Sequence, residues 1–383
     1  MIYLDHAATT PVFPGALESA WPWLTTEFGN PSSTHELGLR ASAALQDARR
    51  TLATWLEVSA HEVVFTSGGT EGNNLCVVGL ALAHPRGRHV VSARTEHEAV
   101  LASIEFLVRV HGFDVTWLAV DESGRIDLAD LDQALRADTT LVTLMHANNE
   151  TGTIHPIAEI AHRAHAVGAL MHTDAVQSAA WLDIRPSVLD VDALTVSGHK
   201  LGAPKGSGAV FVRRGLAIEP LLHGGGQEDN RRSGTENVAW AVALATAVSR
   251  AVPAGPERGA ECARVAALRD ALVRDVCAAV PEAHISGDPQ AHLPSIAGFT
   301  FTGINGESIL LELESHGVIV SSGAACAAGK DEPSHVLIAC GFTPDVARTA
   351  VRVSLAHTTT NEDIAVATRT LIEAANRVRG LRA

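Results

Sequence analysis

The strongest constraint on the fold is an alternation that runs from about residue 60 to 212. Short β-rich runs recur at Val63–Thr66, His89–Ser92, Val115–Leu118, Leu141–Met145, Leu170–Thr173, Ala193–Ser197 and Ala209–Val212. Helical patterns such as Ile157–Val167 lie between several of them. Strands that alternate with helices pair in parallel, because each crossover helix packs back on the sheet it leaves. The pattern therefore predicts an α/β fold with a mainly parallel, doubly wound sheet. In such sheets ligands bind beyond the carboxyl ends of the strands.

The alternation stops at Val252-Pro253-Ala254-Gly255-Pro256, whose composition is that of a linker. Beyond it Val265, Leu268, Leu272 and Val276 repeat at helical spacing. Strand-like runs follow at Gly298–Phe301, Gly317–Ser321 and Val351–Leu355, which predicts a smaller α+β domain. With 383 residues, 46% apolar and 19% charged, the chain is ordinary globular material with enough length for two or three domains. A formal net charge of −14 disfavours nucleic acid and anionic lipid as partners. The longest apolar stretch, near Asn237–Ala247, is too short to span a bilayer. The opening residues Met1–His6 have neither a basic leader nor an apolar core, so the expectation is a cytoplasmic protein. Five cysteines then suggest a reactive thiol among buried ones and not a disulfide framework.

Four segments carry chemistry. Thr66-Ser67-Gly68-Gly69-Thr70-Glu71-Gly72-Asn73-Asn74 follows a strand and opens an apolar helical run through Leu82. It reads either as a phosphate cup, with free N–H groups at a helix start, or as a capped tight turn. Asp174 stands just past the strand Leu170–Thr173, where it could face a cationic ring nitrogen or merely cap a helix. Lys200, in Ser197-Gly198-His199-Lys200, also follows a strand end among small residues. A lysine that must attack a carbonyl needs such an uncrowded, partly dry place, though most lysines are simply solvated. Cys326 lies in Ser322-Gly323-Ala324-Ala325-Cys326-Ala327-Ala328-Gly329-Lys330, a loop composition that leaves a thiol accessible, either as a reactive group or as an incidental surface cysteine. Cys76, Cys262, Cys277 and Cys340 sit in apolar helical contexts and read as inert core thiols. An anion clamp, an acid and a lysine at successive strand ends are the components a pyridoxal phosphate site needs.

The sequence resembles the NifS/IscS-like cysteine desulfurases, in the class V aminotransferase group of fold-type I pyridoxal phosphate enzymes. The resemblance runs almost end to end. It rests on Tyr3–Pro11, Phe28–Ser33, Thr95-Glu96-His97, Met145–Glu150, Ser197–Lys200, Gly224–Glu228, Arg232-Ser233-Gly234-Thr235 and Val351–Ser354. It implies a large cofactor domain over residues 15–255, built on a mainly parallel seven-stranded sheet flanked by helices. Residues 1–14 and 256–383 would form the small domain carrying the cysteine loop.

Carried over residue by residue, the resemblance implies the following roles. Lys200 bonds the cofactor, pyridoxal 5'-phosphate, and moves the substrate's Cα proton. Asp174 pairs with the ring nitrogen, Gln177 bonds the ring hydroxyl, and His97 stacks on the ring as an acid or base. Gly69, Thr70, Ser197 and His199 line the phosphate. Thr235 reaches the phosphate of the partner in a homodimer. Asn149, which also borders the cofactor, and Arg352 hold the substrate carboxylate, Arg352 by a bidentate fork. Cys326 takes sulfur from L-cysteine, leaving L-alanine and a persulfide for an acceptor protein, one candidate being an iron–sulfur scaffold. No metal is expected. Ala324, Ala327 and Ala328 replace hydroxyl residues common in the family run, which leaves the acceptor open. The competing readings are a selenocysteine lyase, a class V aminotransferase, or a non-catalytic sulfur carrier that keeps only the fold.

Overall fold

The computed structural model describes residues 1–84, 86–250, 252–253, 255–323 and 332–380. Twelve strands occur among the described residues. They are β1 (Ile2–Tyr3), β2 (Val63–Thr66), β3 (His89–Ala93), β4 (Asp114–Leu118), β5 (Thr139–Thr143), β6 (Leu170–Asp174), β7 (Ala193–Ser197), β8 (Gly208–Val212), β9 (Ala283–Ser286), β10 (Ile296–Phe301), β11 (Val318–Ile319) and β12 (Val351–Ser354).

Strands β2 to β8 make one seven-stranded sheet in the order β2-β8-β7-β6-β5-β3-β4. Only β8 runs against its neighbours, so the sheet is mainly parallel. β3, β5, β7 and β8 are buried along their whole length, as befits strands covered on both faces. One apolar layer gathers Leu45, Leu52 and Leu56 with Ile157, Ile160 and Leu244. Another gathers Leu75, Val78, Ile104 and Leu107 on the other sheet residues.

Two boundaries differ from the sequence reading. β5 is Thr139–Thr143 and not Leu141–Met145, and Leu144 and Met145 already belong to the segment leading into the site. Asp174 is the last residue of β6 and not the first beyond it. The apolar run through Leu82 is one helical stretch but not one regular helix. Gly69–Asn74 is α-helical, Leu75–Gly79 widens to a π-turn, and Leu80–Ala83 closes it.

The second sheet is antiparallel, β12-β10-β9, and β1 pairs in parallel with β11. Val265, Leu268, Leu272 and Val276, on helix Gly255–Ala279, pack with Phe299, Phe301 and Val353. β1 and β9 leave no periodicity to read in the sequence, being strands of two and four residues with half-polar composition. Cys76 and Cys340 are buried, as expected, but Cys262 and Cys277 are only half-buried. No single helix among the described residues is long and apolar enough to cross a membrane.

Candidate active site

β8 opposes both β2 and β7, so those two strands point the same way as β6, β5 and β3. Their carboxyl ends therefore share one edge of the sheet. A cavity of about 320 Å³ opens there, bounded across from the edge by Arg352 of the small sheet and by Ala7 and Ala8. Gly69, Thr70, His97, Asn149, Asp174, Gln177, Ser197, His199, Lys200 and Arg352 all line it. Thr235 is exposed and does not line the cavity of its own chain. Cys326 lies outside the described residues, although Gly323 before it and Glu332, Pro333 and His335 after it border the cavity.

Each side chain is aimed by its element. Gly68, at φ +150°, turns the chain from β2 into the helix starting at Gly69. Gly208 makes that turn possible: a Cβ there would lie 2.6 Å from the Gly68 Cα. Asp174 ends β6 with both oxygens engaged, Oδ2 accepting from Asn73 Nδ2 at 2.5 Å and Oδ1 from the Val176 N–H at 2.9 Å. Lys200 ends a single 3-10 turn, Gly198–Lys200, directly after β7. Its Nζ donates to the carbonyls of Ala7 and Ala8. Gln177 Nε2 also donates to Ala7 O, at 2.9 Å. His97 caps helix Glu98–His111, with Nδ1 accepting from the Ala99 N–H at 3.0 Å. That bond fixes the ring's tautomer, with any proton of the neutral ring on Nε2.

Burial and the neighbouring Lys200 and Lys205 ammonium groups push His199 down to about 4, so its imidazole is neutral at pH 7. Arg352 is fully buried on β12. Its Nη1 donates to Asn149 O at 2.9 Å and Gly323 O at 3.1 Å, and its Nη2 to Asp5 Oδ1 at 2.9 Å. Of two buried acids at the site, Glu150 lines the cavity and Glu96 stands behind it. Glu96 accepts from the Met145 N–H at 2.8 Å, and burial holds its carboxyl well above the usual range. Glu150 accepts from Ser334 Oγ at 2.5 Å and is raised for the same reason. Sequence reasoning does not single out Asn73, Asp5, Glu150, His335 or Gly208. The first three lie within the motif runs named above, but only the fold reveals what they touch.

The residues present fit pyridoxal phosphate. Ser197 Oγ is buried at the cup without a hydrogen-bond partner. A Cβ on Gly69 would stand 3.0 Å from Val176 Cγ2 and 3.4 Å from Ser197 Cβ, closing the approach to the helix start. A buried carboxylate, a lysine amine and an anion cradle thus surround one cavity.

The model for the aminotransferase class-V family matches residues 2–366, and the chain belongs to that family. Its cofactor is accordingly pyridoxal 5'-phosphate. Two curated relatives narrow the comparison. The chain is 42% identical to the cysteine desulfurase IscS of Dictyoglomus turgidum over 364 residues, 95% of this chain and 91% of that protein. It is 41% identical to a cysteine desulfurase of Nostoc sp. over 381 residues, 100% and 94% of the two chains. Among solved structures, a NifS-like protein superposes with a TM-score of 0.90 at 33% identity, covering 98% of this chain and 99% of that one. SspA in complex with cysteine superposes with a TM-score of 0.80 at 36% identity, covering 93% and 99%.

Proposed function

We propose that this chain is a cysteine desulfurase that removes sulfur from L-cysteine and holds it as a persulfide on Cys326. The observation that carries the reading is the convergence on one cavity of Lys200, Asp174, the Gly69–Thr70 cup and the buried Arg352. Bound pyridoxal phosphate supplies an electron sink for the carbanion left when the substrate's Cα loses its proton.

The chain's own residues do the rest. Gly69, Thr70, Ser197 and His199 would hold the phosphate, and Asp174 would keep the ring nitrogen protonated. Arg352 and Asn149 hold the substrate carboxylate, the guanidinium being pinned from behind by Asp5. Lys200 Nζ would take the Cα proton, and His97, whose Nδ1 is engaged by the Ala99 N–H, would serve as the second acid or base. The Cys326 thiolate attacks the substrate sulfur; the C–S bond breaks with its electron pair left on Cβ, the sulfur stays on Cys326 as a persulfide, and a proton gained at Cβ together with the return of a proton from Lys200 to Cα completes L-alanine. The enzyme works as a homodimer in the cytoplasm. Thr235 of each protomer reaches the cofactor phosphate of the other, and an acceptor protein collects the sulfur.

Lys200→Ala tests the reading. Turnover should fall by several orders of magnitude, and borohydride reduction of the wild type should fix the cofactor on Lys200. Recovery of the reduced adduct on Lys205 would sink it.

A further inference from the structure

The loop that carries Thr235 contains an unusual backbone. Glu228, Asp229 and Asn230 are three consecutive non-glycine residues at positive φ, +52°, +55° and +64°. The left-handed region is unfavourable for L-residues. Asn and Asp visit it far more readily than Glu, whose side chain offers no local compensation. Such strain persists only where the surroundings enforce it, and it gathers at functional sites.

The enforcement falls on the least suited residue. The Glu228 carboxylate is buried and gripped by a fork from Arg49: Nη1 donates to Oε2 at 2.6 Å and Nη2 to Oε1 at 2.7 Å. Oε2 also accepts from the Phe65 N–H at 3.0 Å, and Arg49 Nη1 donates to Val63 O at 2.7 Å. The guanidinium lies over the Phe65 ring, 5.0 Å from its centroid. The grip is thus built on β2, the strand leading into the cofactor cup. Past the strained turn the loop is tied residue by residue. Arg231 Nη1 donates to His61 O at 2.8 Å, and Arg232 Nε donates to Glu71 Oε1 at 2.8 Å. The Gly234 N–H donates to Gln227 Oε1 at 2.9 Å. The ties stop at Gly234, and Thr235 stands exposed.

We propose that Arg49 and Glu228 are a positioning pair that holds the left-handed turn and thereby aims Thr235 at the cofactor phosphate of the partner subunit. This rests on the reading of Thr235 given above. The pair touches no reacting atom; it sets the direction of the loop. Strain is tolerated because a fully satisfied buried ion pair cannot be released without leaving a charge unpaired.

Heterodimers test it, because the effect belongs to the opposite site. Each contains one protomer disabled by Lys200→Ala, so only one site keeps covalently held cofactor. Its loss to an apo-protein trap is followed by the visible absorption. When Glu228→Gln is placed on the disabled protomer, cofactor should leave the intact site at least threefold faster. When it is placed on the protomer holding the cofactor, the rate should match the control. Arg49→Lys, which keeps the charge but loses the fork, should reproduce the pattern should Glu228→Gln not fold. A faster loss only in the same protomer, or no change from either placement while Thr235→Ala loosens the cofactor, would overturn the proposal and spare the reading of Thr235. No change with Thr235→Ala itself would overturn both.

Discussion

Burial separates the cysteines by chemistry. It pushes the thiols of Cys76 and Cys340 up to about 12, and raises those of Cys262 and Cys277 as well. None of these four offers appreciable thiolate at neutral pH, which is the form that attacks sulfur. This supports the proposal that Cys326 is the thiol that takes the sulfur. Cys326→Ser should keep the yellow colour and the binding of L-cysteine while alanine release drops at least a hundredfold. In the wild type, cysteine without reductant should add one sulfur mass to the peptide carrying Cys326 and to no peptide carrying the other four. Alanine release at the wild-type rate from Cys326→Ser would point to a lyase that expels sulfur directly. At the same scale, Asp174 depends on Asn73, whose amide fixes one carboxylate oxygen while the Val176 N–H fixes the other.

The element that matters most is the turn between β2 and the helix starting at Gly69. Its two glycines are visible in the sequence, but a third, Gly208, decides whether it can form. Gly208 opens β8 opposite Thr66 and Ser197, at the edge where the phosphate cup lies. Gly208→Ala would set a Cβ 2.6 Å from Gly68 Cα and 2.9 Å from Gly68 C and N, all backbone atoms with little room to give. Overpacking of this kind costs about 1–3 kcal/mol. The variant should melt several degrees lower and lose cofactor faster in dialysis. Wild-type melting and retention would mean that the turn shifts freely. Gly72 has a similar role further along the helix, where a Cβ would meet Thr195 Cγ2 at 2.6 Å and Val210 Cγ1 at 2.9 Å.

For the whole molecule, the buried and half-buried histidines set the response to acid. His6, His89, His146, His155, His172, His199, His292 and His357 all have their pKa lowered, chiefly by burial. The folded chain keeps them neutral while the unfolded chain takes up protons as pH falls through about 6.5. Their contribution is present above that value and is lost as pH falls toward the folded pKa values, about 4 for His146 and His155. Among the described residues, one histidine and two acids act the other way in this range. His165 is raised by its bond to Asp192, and Glu96 and Glu150 are raised by burial, so their contributions fade as pH rises. Eight groups against three give the sign. The melting temperature should fall between about pH 7 and about pH 5, each unshared proton contributing about 1.4 kcal/mol per pH unit. A midpoint that rises over that interval would show the acids to dominate.

The sequence by itself determined the class of fold, because short β-rich runs separated by helical stretches admit little besides a mainly parallel sheet, and burial on both faces left several of those runs largely apolar. It also pointed to the lysine, the acid and the cup, since each stands at a strand end, where an open α/β sheet leaves space, and the fold brings all three to one cavity. The tertiary structure decided what those residues lean on. Asn73 against Asp174, Asp5 behind Arg352 and Arg49 beneath Glu228 are pairs 101, 347 and 179 residues apart. No local pattern encodes such partners, because a buried charge is satisfied by whatever the fold brings within about 3 Å and not by its neighbours in the chain. The short strands β1 and β9 escaped for the same reason: their registers come from β11 and β10, not from propensity.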